Sequence, residues 1–176
     1  MDNGQEKLVK IRFAIITVSD RCSAGKAEDK SGPRLCELAI GSRRYDGELT
    51  STTLIPDDLE TIKEYLIRAS ELSDVVLTTG GTGFAPRDVT PEATKAVIER
   101  RANGLEIALV QHSLKYTPFG ALSRPCAGIR NKTLIVNLPG KLKAVEEMFE
   151  VLEPILAHAV MHLNDEVHLA HECRKD

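Results

Sequence analysis

Four short apolar blocks constrain the fold of this chain more than any other feature: residues 11–18, 49–55, 75–79 and 133–138. Apart from the Thr-rich second block, they are near-continuous runs of Ile, Val, Leu and Thr, the pattern of strands buried on both faces of a sheet. Between them lie helical segments. Ser31-Gly32-Pro33 opens one that runs to about Ile40, and in the next Leu59, Ile62, Leu66 and Ala69 share a face. Strands alternating with helices predict an α/β domain, a three-layer αβα arrangement around a mainly parallel sheet. The domain is expected over 11–165 of the 176 residues, between a flexible N-terminal tail, 1–10, and a C-terminal tail, 166–176.

The helix after the third block is expected to continue to Arg100-Arg101 and to break at Gly104. Residues 105–114 read as a helix too apolar all round for one face, and therefore as largely buried. Residues 116–130, with Pro118, Gly120, Pro125 and Gly128, form an irregular excursion with room for a short hairpin. The last helix spans 142–163, kinked or split at Pro154.

The third block leads straight into Gly80-Gly81-Thr82-Gly83. Glycines at this density let the backbone enter left-handed regions and turn its N–H groups toward one point, an anion cradle. Asp88 follows, then Thr90 at an N-cap position and Pro91 at the first helical position. A helix N-terminus adds free N–H groups and partial positive charge. The order strand, glycine turn, carboxylate, helix start suits phosphate with a cation, and Asp88 is the natural carboxylate for that cation. The run matches neither the P-loop nor the Gly-x-Gly-x-x-Gly pattern.

In an open parallel sheet, ligands bind beyond the carboxyl ends of the strands. Right-handed crossovers therefore bring four turns to one edge: Ser19-Asp20, Pro56-Asp57, Gly80 to Gly83 and Asn137 to Gly140. Asp20, Asp57 and Asp88 meet there, with Arg21, Lys26, Arg87, Arg124, Arg130 and Lys141 in the same loops. Basic residues gathered at one edge of a mildly acidic chain suit a polyanionic small substrate.

Composition excludes other classes. A net charge of −3 and 4% aromatics, with no Trp, argue against a nucleic-acid binder. The apolar run at 13–18 is too short to span a membrane and lacks the form of a signal peptide, so a cytoplasmic protein is expected. Cys22, Cys36, Cys126 and Cys173 form no Cys-x-x-Cys pair and read as reduced thiols. His158 and His162 have metal-ligand spacing but sit among Ala159, Val160 and Met161, the composition of an amphipathic helix. The tail bearing His168, His171 and Cys173 reads as solvated.

The run Thr-Thr-Gly-Gly-Thr-Gly at 78–83, followed by Arg-Asp-Val-Thr-Pro-Glu-Ala at 87–93, resembles the signature of the molybdopterin-binding family. Within it the chain is most similar to the molybdopterin adenylyltransferases, both the bacterial enzymes and the G domains of two-domain homologues such as gephyrin. The resemblance covers about 11–163. It implies MgATP-dependent adenylylation of molybdopterin with release of pyrophosphate, ATP being a co-substrate and Mg²⁺ a cofactor. Asp57 and Asp88 match the family's two essential acidic positions and are expected to be catalytic and to hold the metal. Gly80, Gly81, Thr82 and Gly83 are expected to hold nucleotide phosphates, and Thr90, Pro91 and Glu92 to shape the same pocket. Ser19, Asp20, Ser123, Pro139 and Gly140 are further candidates for the nucleotide or the pterin phosphate. A homotrimer is implied, as is a molybdenum-insertion domain or protein downstream. The alternative is a non-catalytic molybdopterin-binding or scaffolding domain of a larger gephyrin-like protein. Departures from the family pattern are modest: Lys141-Leu142 stands where small polar residues or Pro are common, and Asn131 replaces a turn glycine.

Overall fold

The computed structural model describes residues 8–165. The expectations for most of the N-terminal tail, and for the tail with His168, His171 and Cys173, fall outside the described residues. The elements run β1 (Lys10–Val18), α1 (Asp20–Ser23), α2 (Ser31–Gly41), β2 (Asp46–Ile55), α3 (Leu59–Leu72), β3 (Val75–Thr79), α4 (Thr90–Val97), β4 (Arg100–Arg101), α5 (Asn103–Tyr116), β5 (Ala127–Arg130), β6 (Thr133–Leu138) and α6 (Leu142–Leu163). A 3-10 turn, Pro118–Leu122, lies between α5 and β5.

One six-stranded sheet has the order β2-β1-β3-β6-β5-β4. The pairs β1–β2, β1–β3 and β3–β6 are parallel; β5 runs antiparallel to β6 and to β4. The strand period of two divides the core. Ile11, Phe13, Ile15, Val75, Leu77, Leu134 and Val136 pack against α2, α5 and α6. Ala14, Ile16, Val18, Val76 and Ile135 face α3 and α4. The three expected layers are present, and β3 and β6 are buried at every position.

The structure corrects several expectations. The helix after the glycine loop ends at Val97, and Arg100–Arg101 is a strand, because Glu99 N and Ala102 N donate to the carbonyls of Ile129 and Ala127. The hairpin in the irregular region pairs β5 with β6 itself, turning at Asn131 with φ 53, a left-handed value that Asn tolerates. Of the two expectations for the last helix, a split at Pro154 does not occur: Pro154 sits inside one continuous α6. Nor is α5 largely buried: only Glu106 and Leu109 are, whereas Ile107, Leu114 and Tyr116 are exposed, as are Phe119 and Leu122 beyond it. Among the described residues no helix is long and apolar enough to cross a membrane.

Candidate functional site

The carboxyl ends of β1, β2, β3 and β6 open on one edge, where the backbone stitches the turns together. Ser19 N donates to Ile55 O and Gly80 N to Leu138 O. The Thr79 hydroxyl donates to Pro139 O, and that of Ser31 to Gly140 O. Ser19 caps the short α1, its hydroxyl accepting from Cys22 N.

Asp20 and Asp57, each just past its strand, exchange bonds. Asp20 N donates to Asp57 Oδ2 (2.7 Å), and Asp57 N to Asp20 Oδ1 (3.0 Å). Arg87 forks onto Asp20, Nε to Oδ2 and Nη2 to Oδ1, both at 2.9 Å. This Arg87 pairing holds the Asp20 carboxyl below its ordinary value, burial opposing it. Asp57 is shifted the other way: burial pushes it up, the charges of Asp20 and Asp88 add to that, and the Asp20 N–H pulls against them. Asp57 Oδ1 is buried without a hydrogen-bond partner.

Behind the glycine turn, Thr90 is fully buried; its N–H donates to Gly81 O and its hydroxyl to Gly80 O. It is the first residue of α4 and not its cap, which is Val89. Thr90 thus braces the loop from inside, Pro91 is buried behind it in the first turn of α4, and neither lines the cavities described below. In front of the loop stands Arg124, which the sequence places among loop cations without a role. Its Nε donates to Gly83 O (2.8 Å), its Nη2 to Asp88 O (2.6 Å) and its backbone N to Thr82 O (2.8 Å). Its Nη1 pairs with Glu92. Burial works against the Glu92 charge, but the Arg124 pairing prevails and lowers that carboxyl. Glu92 therefore acts on the loop through Arg124.

Two cavities meet at Gly81, Asp88 and Gly140. One, of about 430 Å³, is lined by Ser19, Asp29, Ser31, Asp57 and Gly80. The other, of about 510 Å³, runs under α5 between Leu109, Phe119, Leu122 and Met148, with Thr82, Gly83, Ser123 and Pro139 also on its wall. Asp20 lines neither cavity. Arg130 is held away from this edge: it lies at the far end of the antiparallel β5, and its Nη1 donates to Val97 O.

The family model described as "Probable molybdopterin binding domain" matches residues 14–158. The chain belongs to this molybdopterin-binding family. It is 43% identical over 158 residues to gephyrin of Dictyostelium discoideum, covering 85% of this chain but 22% of that protein, so it spans about a fifth of that relative's length. It is 40% identical over 156 residues to the molybdopterin adenylyltransferase of Helicobacter pylori, covering 85% of this chain and 86% of that one. The crystal structure of the molybdopterin biosynthesis enzyme MoaB from Thermus thermophilus superposes with a TM-score of 0.81 at 38% identity, over 88% of this chain and 97% of that one.

In this molybdopterin-binding domain the residues suit a cation at Asp57. A buried carboxylate oxygen without a donor, next to two more carboxylates, gains from positive charge. Among the described residues no three His, Cys, Asp or Glu side chains form a metal cage. Mg²⁺ fits that shortage, since it takes one or two carboxylates and completes its shell with water and phosphate oxygens. Asn137, which the sequence places within the fourth strand block and at the start of its polar turn, is a fully buried residue of β6 on the wall of the larger cavity. Its Nδ2 donates to the hydroxyls of Thr78 and Thr94, and its Oδ1 has no partner. The signal for it was available: an amide within an otherwise apolar strand block demands buried partners.

Cys22 is half-buried on the wall of the polar cavity, whereas the buried Cys126 lines neither cavity. Burial, with the nearby Glu106 charge, pushes the Cys126 thiol up to about 11. Cys→Ser at Cys22, Cys126 and Cys173 is expected to leave turnover within about twofold, because no thiolate is required and Ser is close to Cys in size. Loss of turnover in a folded Cys22→Ser protein would count against the site as described.

Proposed function

We propose that this chain is a molybdopterin adenylyltransferase: a phosphate oxygen of molybdopterin attacks the α-phosphorus of MgATP. A new P–O bond forms, the bond to the β-phosphate oxygen breaks, and pyrophosphate leaves with the electron pair. The reading is carried by Asp57, whose unpartnered Oδ1 stands beside a glycine cradle where two cavities join. The identity to an adenylyltransferase over 86% of that enzyme's length supports it.

The attacking phosphate arrives ionised, so no activated Ser or Cys is required. The demand is for neutralised charge and in-line placement. Mg²⁺ held by Asp57 and Asp88 would supply Lewis-acid neutralisation at the transferring phosphate. The amides of Gly81, Thr82 and Gly83, in a loop fixed by Thr90 behind and Arg124 in front, orient phosphate oxygens, while the Gly80 N–H is spent on Leu138 O. The apolar walls of the larger cavity suit a heterocyclic ring, and the polar cavity suits phosphates. Because the cavities share Gly81, Asp88 and Gly140, the reacting groups of two substrates can meet there. The decisive experiment is pyrophosphate release from ATP with and without molybdopterin; release that ignores molybdopterin would sink the reading.

Ile107 and Leu114, seven residues apart and so on one face of α5, are exposed, which favours self-association, since apolar side chains on one face gain from being covered. We expect a homotrimer at micromolar concentration. Sedimentation equilibrium giving the 19.3 kDa monomer mass would refute it.

A further inference from the structure

The ion pair between Arg87 and Asp20 joins the loop before α4 to the start of α1, and it is half in solvent: Arg87 is 64% and Asp20 40% exposed. Exposed pairs contribute little to stability, so holding the fold together does not account for a two-pronged geometry at this place. Its local effect is specific. Asp20 Oδ1 accepts from Asp57 N and Arg87 Nη2, and Oδ2 accepts from Arg87 Nε, so both Asp20 oxygens are taken by donors. Asp57 Oδ2 is taken by Asp20 N. Of the four oxygens on these two carboxylates, Asp57 Oδ1 alone has no donor.

We propose that Arg87 is a positioning residue that keeps Asp20 out of the coordination shell of the cation, reserving Asp57 Oδ1 as the single oxygen this pair offers. The inference rests on the Mg²⁺ reading above. Without Arg87, two carboxylates on adjacent strand ends become available together. A cation gains affinity from each added carboxylate, and it moves toward the one it gains. Here the added ligand would be Asp20, which lines neither cavity, so the cation is drawn off the junction at Gly81 and Asp88. Tighter cation binding with slower transfer is therefore the signature of a lost Arg87. A purely structural ion pair does not produce it. Nor does an Arg that grips the triphosphate directly, whose loss lowers nucleotide affinity without touching the cation.

The test titrates Mn²⁺ alone into the full chain, followed by electron paramagnetic resonance, beside adenylylation assays and binding of a non-hydrolysable ATP analogue. The variants are Arg87→Gln, Arg87→Lys, Asp20→Asn and the Arg87→Gln/Asp20→Asn double. Arg87→Gln is expected to bind Mn²⁺ at least about fivefold tighter, in line with an added carboxylate ligand. Its turnover should fall at least about tenfold, as for a misplaced reacting group. Arg87→Lys, which restores charge but not the fork, should lie between. The double should match Asp20→Asn in Mn²⁺ affinity within about twofold, because Arg87 has nothing left to hold back. Unchanged or weaker Mn²⁺ binding in Arg87→Gln overturns the proposal. So does tightening that persists without the Asp20 charge, or a loss confined to analogue binding. Wild-type protein that binds no Mn²⁺, or binds it no better than the Asp57→Asn variant, removes the metal reading itself and this inference with it.

Discussion

Asp57→Asn and Asp88→Asn are each expected to slow adenylylation at least about a hundredfold, comparable to removing one preorganised electrostatic contact. Both substitutions keep size and shape and remove charge. In Asp57→Asn the new amide oxygen can still accept the Asp20 N–H, so the bond that ties β1 to β2 survives. Molybdopterin binding without ATP should change little, since the carboxylates act on charge developing during transfer. If both serve one metal, the double mutant should fall far short of the product of the single effects. Near-normal turnover of either single mutant in Mg²⁺ would sink that residue's assignment.

The raised Asp57 carboxyl adds a stability corollary with a definite sign. A carboxylate whose folded pKa lies above its unfolded value favours folding below the unfolded value, and that contribution is lost as pH rises through the folded one. At neutral pH the ionised Asp57 therefore weighs against the fold. Asp57→Asn should melt at or above the wild-type temperature near pH 7, with the gap closing once Asp57 is protonated. Wild-type activity and lower stability would then be coupled through one buried oxygen, as expected of a functional carboxylate.

How much of this was legible in the sequence depends on how far each signal reaches along the chain. β3 and the position of the glycine turn follow from local composition, because a fully buried parallel strand needs an unbroken apolar block. The meeting of Asp20 with Asp57 follows from topology alone, since both end parallel neighbours in the sheet. Other roles depend on contacts distant in sequence and were invisible. Arg124 lies 41 residues from Gly83, and nothing near it in sequence distinguishes a loop clamp from a solvated cation. Thr90 reads as a cap because the sequence shows a Thr before Pro but not the Gly80 carbonyl its hydroxyl faces. The difference at α5 has another origin. Apolar residues all round a helix predict burial, but the single chain covers only one side of it.

The glycines of the turn are expected to differ sharply in what an added methyl group does. Gly80 has φ +103, and a Cβ there would drive into the backbone carbonyl of Val18. That carbonyl belongs to β1, fixed between β2 and β3 in the middle of the sheet, so it cannot yield. Backbone strain and the clash add, and Gly80→Ala should lose roughly 3–5 kcal/mol of stability, the range of severe single substitutions. Gly81 has φ +63, and its Cβ would meet two side-chain oxygens: the Thr90 hydroxyl, and Asp57 Oδ1 at 2.8 Å. Side chains can move, so Gly81→Ala should cost only about 1–2 kcal/mol, mostly for the left-handed backbone. The movement, however, takes Thr90 off Gly80 O and displaces the unpartnered Asp57 oxygen. Turnover should therefore drop at least about a hundredfold, since reacting groups tolerate little misplacement. At Gly83 the Cβ would touch only Asp88, with Oδ2 at 2.6 Å, and without a left-handed backbone. Gly83→Ala should keep its stability and lose turnover through Asp88 alone, by about tenfold. Urea unfolding and turnover per folded molecule separate the three. A Gly80→Ala protein as stable as wild type, or a Gly81→Ala protein with full turnover, would show that the loop does not hold Asp57 as described.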